Sequence, residues 1–128
     1  MAKIFYAWQS DLPAETNKDF IRETLEDVVK EINEELSKSS DDFDELELDY
    51  DTKNTPGSPP ITDIILGKIK GCNIFVSDLS IVGKTDSNKS TPNPNVLIEY
   101  GYALRSRGTV ISLDGRKAEF PGVIRGYR

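Results

Sequence analysis

Four short strand-like segments alternate with helical stripes along this chain, and that alternation constrains its fold more than any other feature. Ile4-Phe5-Tyr6-Ala7 is an apolar run of strand length. Thr16 stands three residues before Asp19, the spacing of a capping box. Phe20, Leu25, Val28, Val29, Ile32 and Leu36 follow at three- and four-residue steps, which predicts an amphipathic helix ended by Lys38-Ser39-Ser40. Leu46, Leu48 and Tyr50 alternate with Glu45, Glu47 and Asp49, the period of a strand with one wet face. Beyond the polar loop from Asp51 to Ser58, Ser58-Pro59 predicts an N-cap followed by proline at the first helical position. Ile61, Ile64, Ile65 and Ile69 form a second helical stripe, closed by Gly71. Asn73-Ile74-Phe75-Val76-Ser77 is a third strand, and residues 79–94 read as a long polar loop. Asn95 can cap a third helix through Val96 to Leu104, with Arg105 and Arg107 suited to its C-terminal dipole and Gly108 to its C′ position. Thr109-Val110-Ile111-Ser112-Leu113 is a fourth strand.

The order β-α-β-α-β-α-β implies a parallel sheet covered by helices on both faces. The expected fold is a flavodoxin-like three-layer α/β sandwich with strand order 2-1-3-4. A length of 128 residues suits one domain spanning 1–128. Residues 117–128 are short and glycine-rich for another α-β unit. The expectation is therefore four strands where five would complete the sheet, with the last strand or a further C-terminal domain missing.

Composition then narrows the chemistry. The chain has no histidine, which excludes Ser-His-Asp triads, Cys-His pairs and histidine-bound zinc. Its one cysteine, Cys72, allows neither an internal disulfide nor a thiolate cluster, and reads as packing. No metal site is expected. Neither a signal-peptide run nor a membrane span is visible, so the expected location is the cytoplasm, away from membranes. A net charge of −6 argues against a nucleic-acid partner. That charge is uneven: residues 1–51 carry −11 and residues 52–128 carry +5. In a doubly wound sheet, ligands bind outside the carboxyl ends of the strands. The loops there are polar and hold Lys53, Lys84, Lys89, Arg116 and Lys117, which suits a phosphorylated, stacked ligand. No G-x-G-x-x-G follows the first strand and no Walker lysine is present, so hydride transfer and P-loop chemistry are disfavoured.

Glu99 stands out. It is the single charge between Val96 and Leu104, where every other residue is apolar, aromatic or glycine. A helix N-terminus stabilises a carboxylate, while apolar surroundings raise its pKa. Two readings follow: a catalytic carboxylate, or an acid that merely offsets the helix dipole. Gly101 nearby is compatible with close packing in either case.

The stretch Asn93-Pro94-Asn95-Val96-Leu97-Ile98-Glu99-Tyr100-Gly101-Tyr102-Ala103-Leu104 resembles the glutamate helix of bacterial TIR-like, predicted nucleotide-binding proteins. It is similar, more distantly, to that of nucleoside 2-deoxyribosyltransferases. Cys72 to Asp78 resembles the third strand with its terminal aspartate. Asp51-Thr52-Lys53 with Pro56-Gly57-Ser58-Pro59 resembles the loop after the second strand, where a TIR domain has its BB loop. Phe5 to Asp11 fits the first strand and its ligand loop.

The resemblance implies an NAD⁺ nucleosidase, acting by hydrolysis or cyclisation in antiphage or immune signalling. NAD⁺ is then the substrate and no resident cofactor is needed. Glu99 would act as a carboxylate on the nicotinamide–ribose bond, whose leaving group departs neutral and needs no proton. Trp8 would stack on a ring, and Ser10 and Asp78 would bond to the ribose or pyrophosphate. Asp51, Lys53, Ser58 and Asn95 complete the implied binding set. Bland readings stand beside these: packing for Trp8, capping of the following loop for Asp78, turn and cap roles for Asn93 and Asn95. The family also implies homo-oligomers through TIR–TIR contacts. One alternative is a deoxyribosyltransferase-like enzyme, weakened because Asn93 stands where such enzymes carry an acid. Another is a non-catalytic nucleotide-sensing or assembly module.

Overall fold

The computed structural model describes residues 1–39, 42–50, 61–106, 108–114 and 123–127. Its elements in chain order are β1 (Ala2–Ala7), α1 (Lys18–Ser39), β2 (Leu46–Asp49), α2 (Ile61–Gly71), β3 (Ile74–Asp78), β4 (Gly83–Lys84), β5 (Ser90–Thr91), α3 (Pro94–Leu104), β6 (Thr109–Asp114) and β7 (Val123–Tyr127). The main sheet runs β2-β1-β3-β6-β7, and its first four strands are parallel. This is the expected flavodoxin-like arrangement.

Each strand side buries a different cluster, as the two-residue period requires. Phe5, Ala7, Phe75 and Val110 pack with Ile69 of α2 and with Val96 and Ala103 of α3. On the opposite face Ile4, Tyr6 and Val76 meet Ile21, Leu25 and Val29 of α1. The sheet therefore lies between α1 and the α2–α3 pair. Lys68 on α2 is paired with Asp49 at 3.0 Å, which ties that helix to the end of β2.

Three expectations change. The tail contributes a fifth strand, where none was expected. β7 pairs antiparallel with β6, from Val110 opposite Tyr127 to Asp114 opposite Val123. An antiparallel partner needs no helical crossover, so a short glycine-rich segment suffices. Within residues 79–94, β4 and β5 pair as a small antiparallel hairpin.

The second change concerns the rotation of α1. Phe20, Val28, Ile32 and Leu36 are exposed, although they belong to the expected apolar stripe. The inward row is Asn17, Ile21, Leu25, Val29 and Asn33, at steps of four. Asn17 donates to Asp78 Oδ2 at 3.0 Å, and Asn33 both donates to and accepts from the Leu46 backbone. These two amides fix which face turns inward. Thr16 is no capping acceptor here: its hydroxyl donates to the Pro13 carbonyl and the Asn17 side chain.

The third change lies at α3. Asn93, not Asn95, is the N-cap, accepting from the Asn95 and Val96 amides at 2.9 and 3.1 Å. Pro94 then takes the first helical turn, where its missing N–H is harmless. Arg105 is the C-cap, so Gly108 lies beyond the cap region.

Among the described residues no helix is long and apolar enough to cross a membrane. None of them forms a group of three or more potential metal ligands.

Two glycines give opposite tests. A Cβ on Gly108 would stand 2.7 Å from the Asn73 carbonyl oxygen, which also accepts from Thr109 N. Gly108→Ala is expected to cost about 1–3 kcal/mol. Gly101 is exposed in α3 and meets nothing within 4 Å, so it serves no close packing. Gly101→Ala is expected to gain about 0.5–1 kcal/mol from helix propensity. Urea unfolding of both variants checks the pair.

Candidate active site

A cavity of about 350 Å³ opens at the carboxyl end of β1. Its walls are β1 and the loop after it, Tyr50 beyond β2, Ile65 of α2, and the start of α3 with its cap residue. β1 is flanked by β2 on one side and β3 on the other, so the connections reverse direction here. Such a reversal opens a crevice for ligands. A larger groove of about 770 Å³ runs between α1 and β2. Its carboxylates Glu26, Glu34, Glu45 and Glu47 are all solvent-exposed, which leaves them hydrated and unremarkable chemically.

Four of the candidate residues line the smaller cavity: Glu99, Trp8, Ser10 and Asn95. Glu99 lies in the second turn of α3, past the first turn where a helix dipole acts most strongly. Dipole compensation is therefore a weak account of it. The carboxyl is partly buried and has no hydrogen-bonding or ion-pairing partner among the described residues. Desolvation pushes its pKa up to about 7. Near neutral pH it populates both forms and can give or take a proton. Among the described residues lining the cavity it is the only formally charged side chain.

Trp8 is fixed rather than free. Its Nε1 donates to the Tyr50 carbonyl at 2.8 Å, and the Lys18 ammonium sits 3.9 Å from the ring centroid. The indole thus forms a rigid apolar wall. Tyr6 also borders the cavity, but burial and the nearby Asp78 raise its pKa far above its ordinary value, so it stays protonated. Ser10 is exposed at the rim.

Asp78 lies away from the cavity and caps the loop that follows it, the bland one of its two readings. It shares the α1 side of β3 with Val76 and is fully buried. Its Oδ2 accepts from Gln9 and Asn17, both at 3.0 Å, and its Oδ1 accepts from Ser80 N at 3.0 Å. It does not line the cavity, and its hydrogen bonds hold loops together. Asp51, Lys53 and Ser58 lie outside the described residues, as do Arg116 and Lys117. Lys84 and Lys89 belong to the exposed hairpin region and do not line the cavity. Burial raises the Cys72 thiol, and its side chain packs against the core.

Sequence reasoning passed over Gln9. This residue is 2% exposed, and its Oε1 accepts from the Asp11 and Leu12 amides at 2.7 and 3.0 Å. A glutamine two residues past an apolar strand gave no signal of that role.

No protein-family model matches the chain, and neither does any curated protein. Among solved structures the chain is similar to a CMP N-glycosidase of Clostridium botulinum, with a TM-score of 0.43 and 18% identity. The match covers 93% of this chain and 74% of that one. Likeness at this level carries no argument about chemistry.

The raised pKa of Glu99 has a thermodynamic signature. Between its unfolded value of 4.5 and about 7, the folded state holds the proton more tightly than the unfolded state. Its contribution to stability is complete below pH 4.5 and is lost as pH rises toward 7. Wild type is expected to lose stability across that window relative to Glu99→Gln, whose side chain does not titrate. Denaturant melts from pH 4 to pH 8 measure the difference, and parallel curves would exclude the shift.

Proposed function

We propose that this chain is an N-glycosidase of nucleotides in which Glu99 is the reactive carboxylate. The finer reading is cleavage of the nicotinamide–ribose bond of NAD⁺. The observation that carries it is the Glu99 carboxyl, without a partner among the described residues, in a cavity whose described walls bring no other charge.

A desolvated carboxylate without a counter-ion is the electrostatic complement of a cationic ligand. The nicotinamidium riboside is such a ligand, and the oxocarbenium-like ribose formed on cleavage is another. Either would draw Glu99 into its ionised form. Nicotinamide then leaves as a neutral molecule while water, or a nucleophile within the substrate, takes its place at C1′. Hydrolysis yields ADP-ribose, nicotinamide and a proton. Trp8 offers a flat wall for a ring, and Asn95 and Ser10 offer hydrogen bonds at the mouth. The resemblance of the glutamate helix to TIR-like proteins supports the choice of NAD⁺. It also places this chemistry, in our reading, in cytoplasmic antiphage signalling by assembled copies of the chain.

A second reading is favoured by one observation, the Glu99 pKa of about 7. An acid protonated at neutral pH suits a neutral nucleoside, whose base leaves more readily once protonated. The pH dependence separates the two. With NAD⁺ and a carboxylate, kcat/KM rises with pH through the Glu99 titration. With a neutral nucleoside and a protonated acid, it falls.

The decisive experiment incubates wild type and Glu99→Gln with NAD⁺ and with a panel of nucleosides and nucleotides, and follows free base by chromatography. Wild type is expected to release base and the variant to lose at least about a hundredfold in rate. Equal release by both would sink the assignment of Glu99. Binding without release by wild type, at any concentration, would favour a sensing module.

A further inference from the structure

Among the described walls of the cavity, the loop after β1 and the start of α3 both carry polar groups, and a side-chain bond joins them. Asn93 Nδ2 donates to Asp11 Oδ2 at 2.6 Å. Asn93 Oδ1 meanwhile caps α3 by accepting from the Asn95 and Val96 amides. The cap therefore does not need Asp11; the second contact adds position rather than helix stability.

An exposed side-chain pair ordinarily contributes little, because holding both partners costs entropy. Here the backbone of Asp11 and the side chain of Asn93 are already held. Asp11 N donates to Gln9 Oε1 at 2.7 Å, and Gln9 Nε2 donates to the buried Asp78 at 3.0 Å. Asn93 is held by the helix it caps. An unbroken hydrogen-bonded path thus runs from the end of β3 through Gln9 and Asp11 to the turn that precedes Glu99. Glu99 lies fewer than two turns beyond Asn93 on a continuous helix.

We propose that Asp11 is a positioning residue, holding the loop after β1 against the cap of α3 so that Glu99 is kept inside a narrow, poorly hydrated cavity. The proposal rests on Glu99 being the reactive group. Without this bond the two walls part, water reaches the carboxyl, and its registry with a bound sugar is lost. Misplacement on the scale of an ångström can cost orders of magnitude in rate.

Three variants test the idea in the full chain. Asp11→Ala removes the acceptor and the charge. Asp11→Asn removes the charge but keeps an oxygen to accept from Asn93. Asn93→Ser keeps a capping oxygen for α3 and replaces the Nδ2 donor by a shorter hydroxyl. The Glu99 carboxyl is titrated by carbon-detected NMR, with its signal assigned from Glu99→Gln, and base release is measured in parallel. The expected Glu99 midpoint falls below its wild-type value in Asp11→Ala and Asn93→Ser, and by less in Asp11→Asn. Turnover falls about tenfold or more in the first two and is largely retained in Asp11→Asn. A midpoint in Asp11→Ala equal to that in Asp11→Asn overturns the proposal, because lost charge then accounts for the whole effect; an unmoved midpoint overturns it too. The titration needs no substrate. Absence of turnover by wild type would therefore count against the glycosidase reading alone, while the titration still decides the role of Asp11.

Discussion

The Asp78 carboxyl group is the point on which the ligand edge of this fold depends. A carboxyl group with no solvent exposure is costly unless its oxygens are hydrogen-bonded. Asp78 meets that demand by gathering three donors from three segments: Gln9 after β1, Asn17 before α1, and the Ser80 amide after β3. Each donor then passes order outward. Asn17 sets the rotation of α1, and the row from Ile21 to Val29 follows it onto the sheet. Gln9 fixes the loop at Asp11 and Leu12, and that loop reaches the cap of α3. Loss of one donor would leave a buried oxygen short of partners and loosen an entire segment with it.

Glu99 is the opposite case, and the contrast separates structure from chemistry. Both residues are acids drawn away from water, Asp78 fully and Glu99 in part. One is saturated with hydrogen bonds and faces no cavity. The other has no partner among the described residues and faces one. Folding gains nothing from a desolvated, unpaired carboxylate, and the same desolvation raises the Glu99 pKa to about 7. Such a group is tolerated where a ligand can offset it.

The sheet order was legible in the sequence because crossover rules leave few ways to join four alternating units. Glu99 was legible because a charge among eight apolar, aromatic or glycine neighbours breaks a pattern. What stayed hidden was carried by amides. Asn17 and Asn33 orient α1, yet a search for apolar periodicity passes over them and includes the exposed Phe20, Val28, Ile32 and Leu36. In Asn93-Pro94-Asn95 either asparagine can cap a helix, and only the place of proline in the first turn favours Asn93. The ligand contact implied for Asp78 came from its place at the end of a strand near the ligand edge. Strand alternation puts it on the side of Val76, away from α3. The antiparallel return of β7 followed no crossover rule, so a pattern built on crossovers could not foresee it.

The uneven charge acquires meaning from the layers. The acidic side chains of α1 and β2 belong to the first 51 residues, which carry −11, and α1 covers one face of the sheet. α3, with Glu99, covers the other face, beside Lys68 and Lys70 of α2. Packed layers stand about 10 Å apart, so α1 and α3, on opposite faces of the sheet, are separated by about two such spacings, well beyond the Debye length of about 8 Å at physiological ionic strength. The exposed acids of α1 are thus largely screened from a ligand that enters on the α3 side. What such a ligand meets inside is one carboxyl group and an otherwise uncharged set of described walls. Under the proposed function, recognition by these walls rests on ring stacking, hydrogen bonds and the positive charge that develops at the reacting carbon. Phosphates on the same ligand gain no countercharge from the described walls of the cavity. Under the proposed function they would project beyond those walls, leaving the cavity to the sugar and the leaving base.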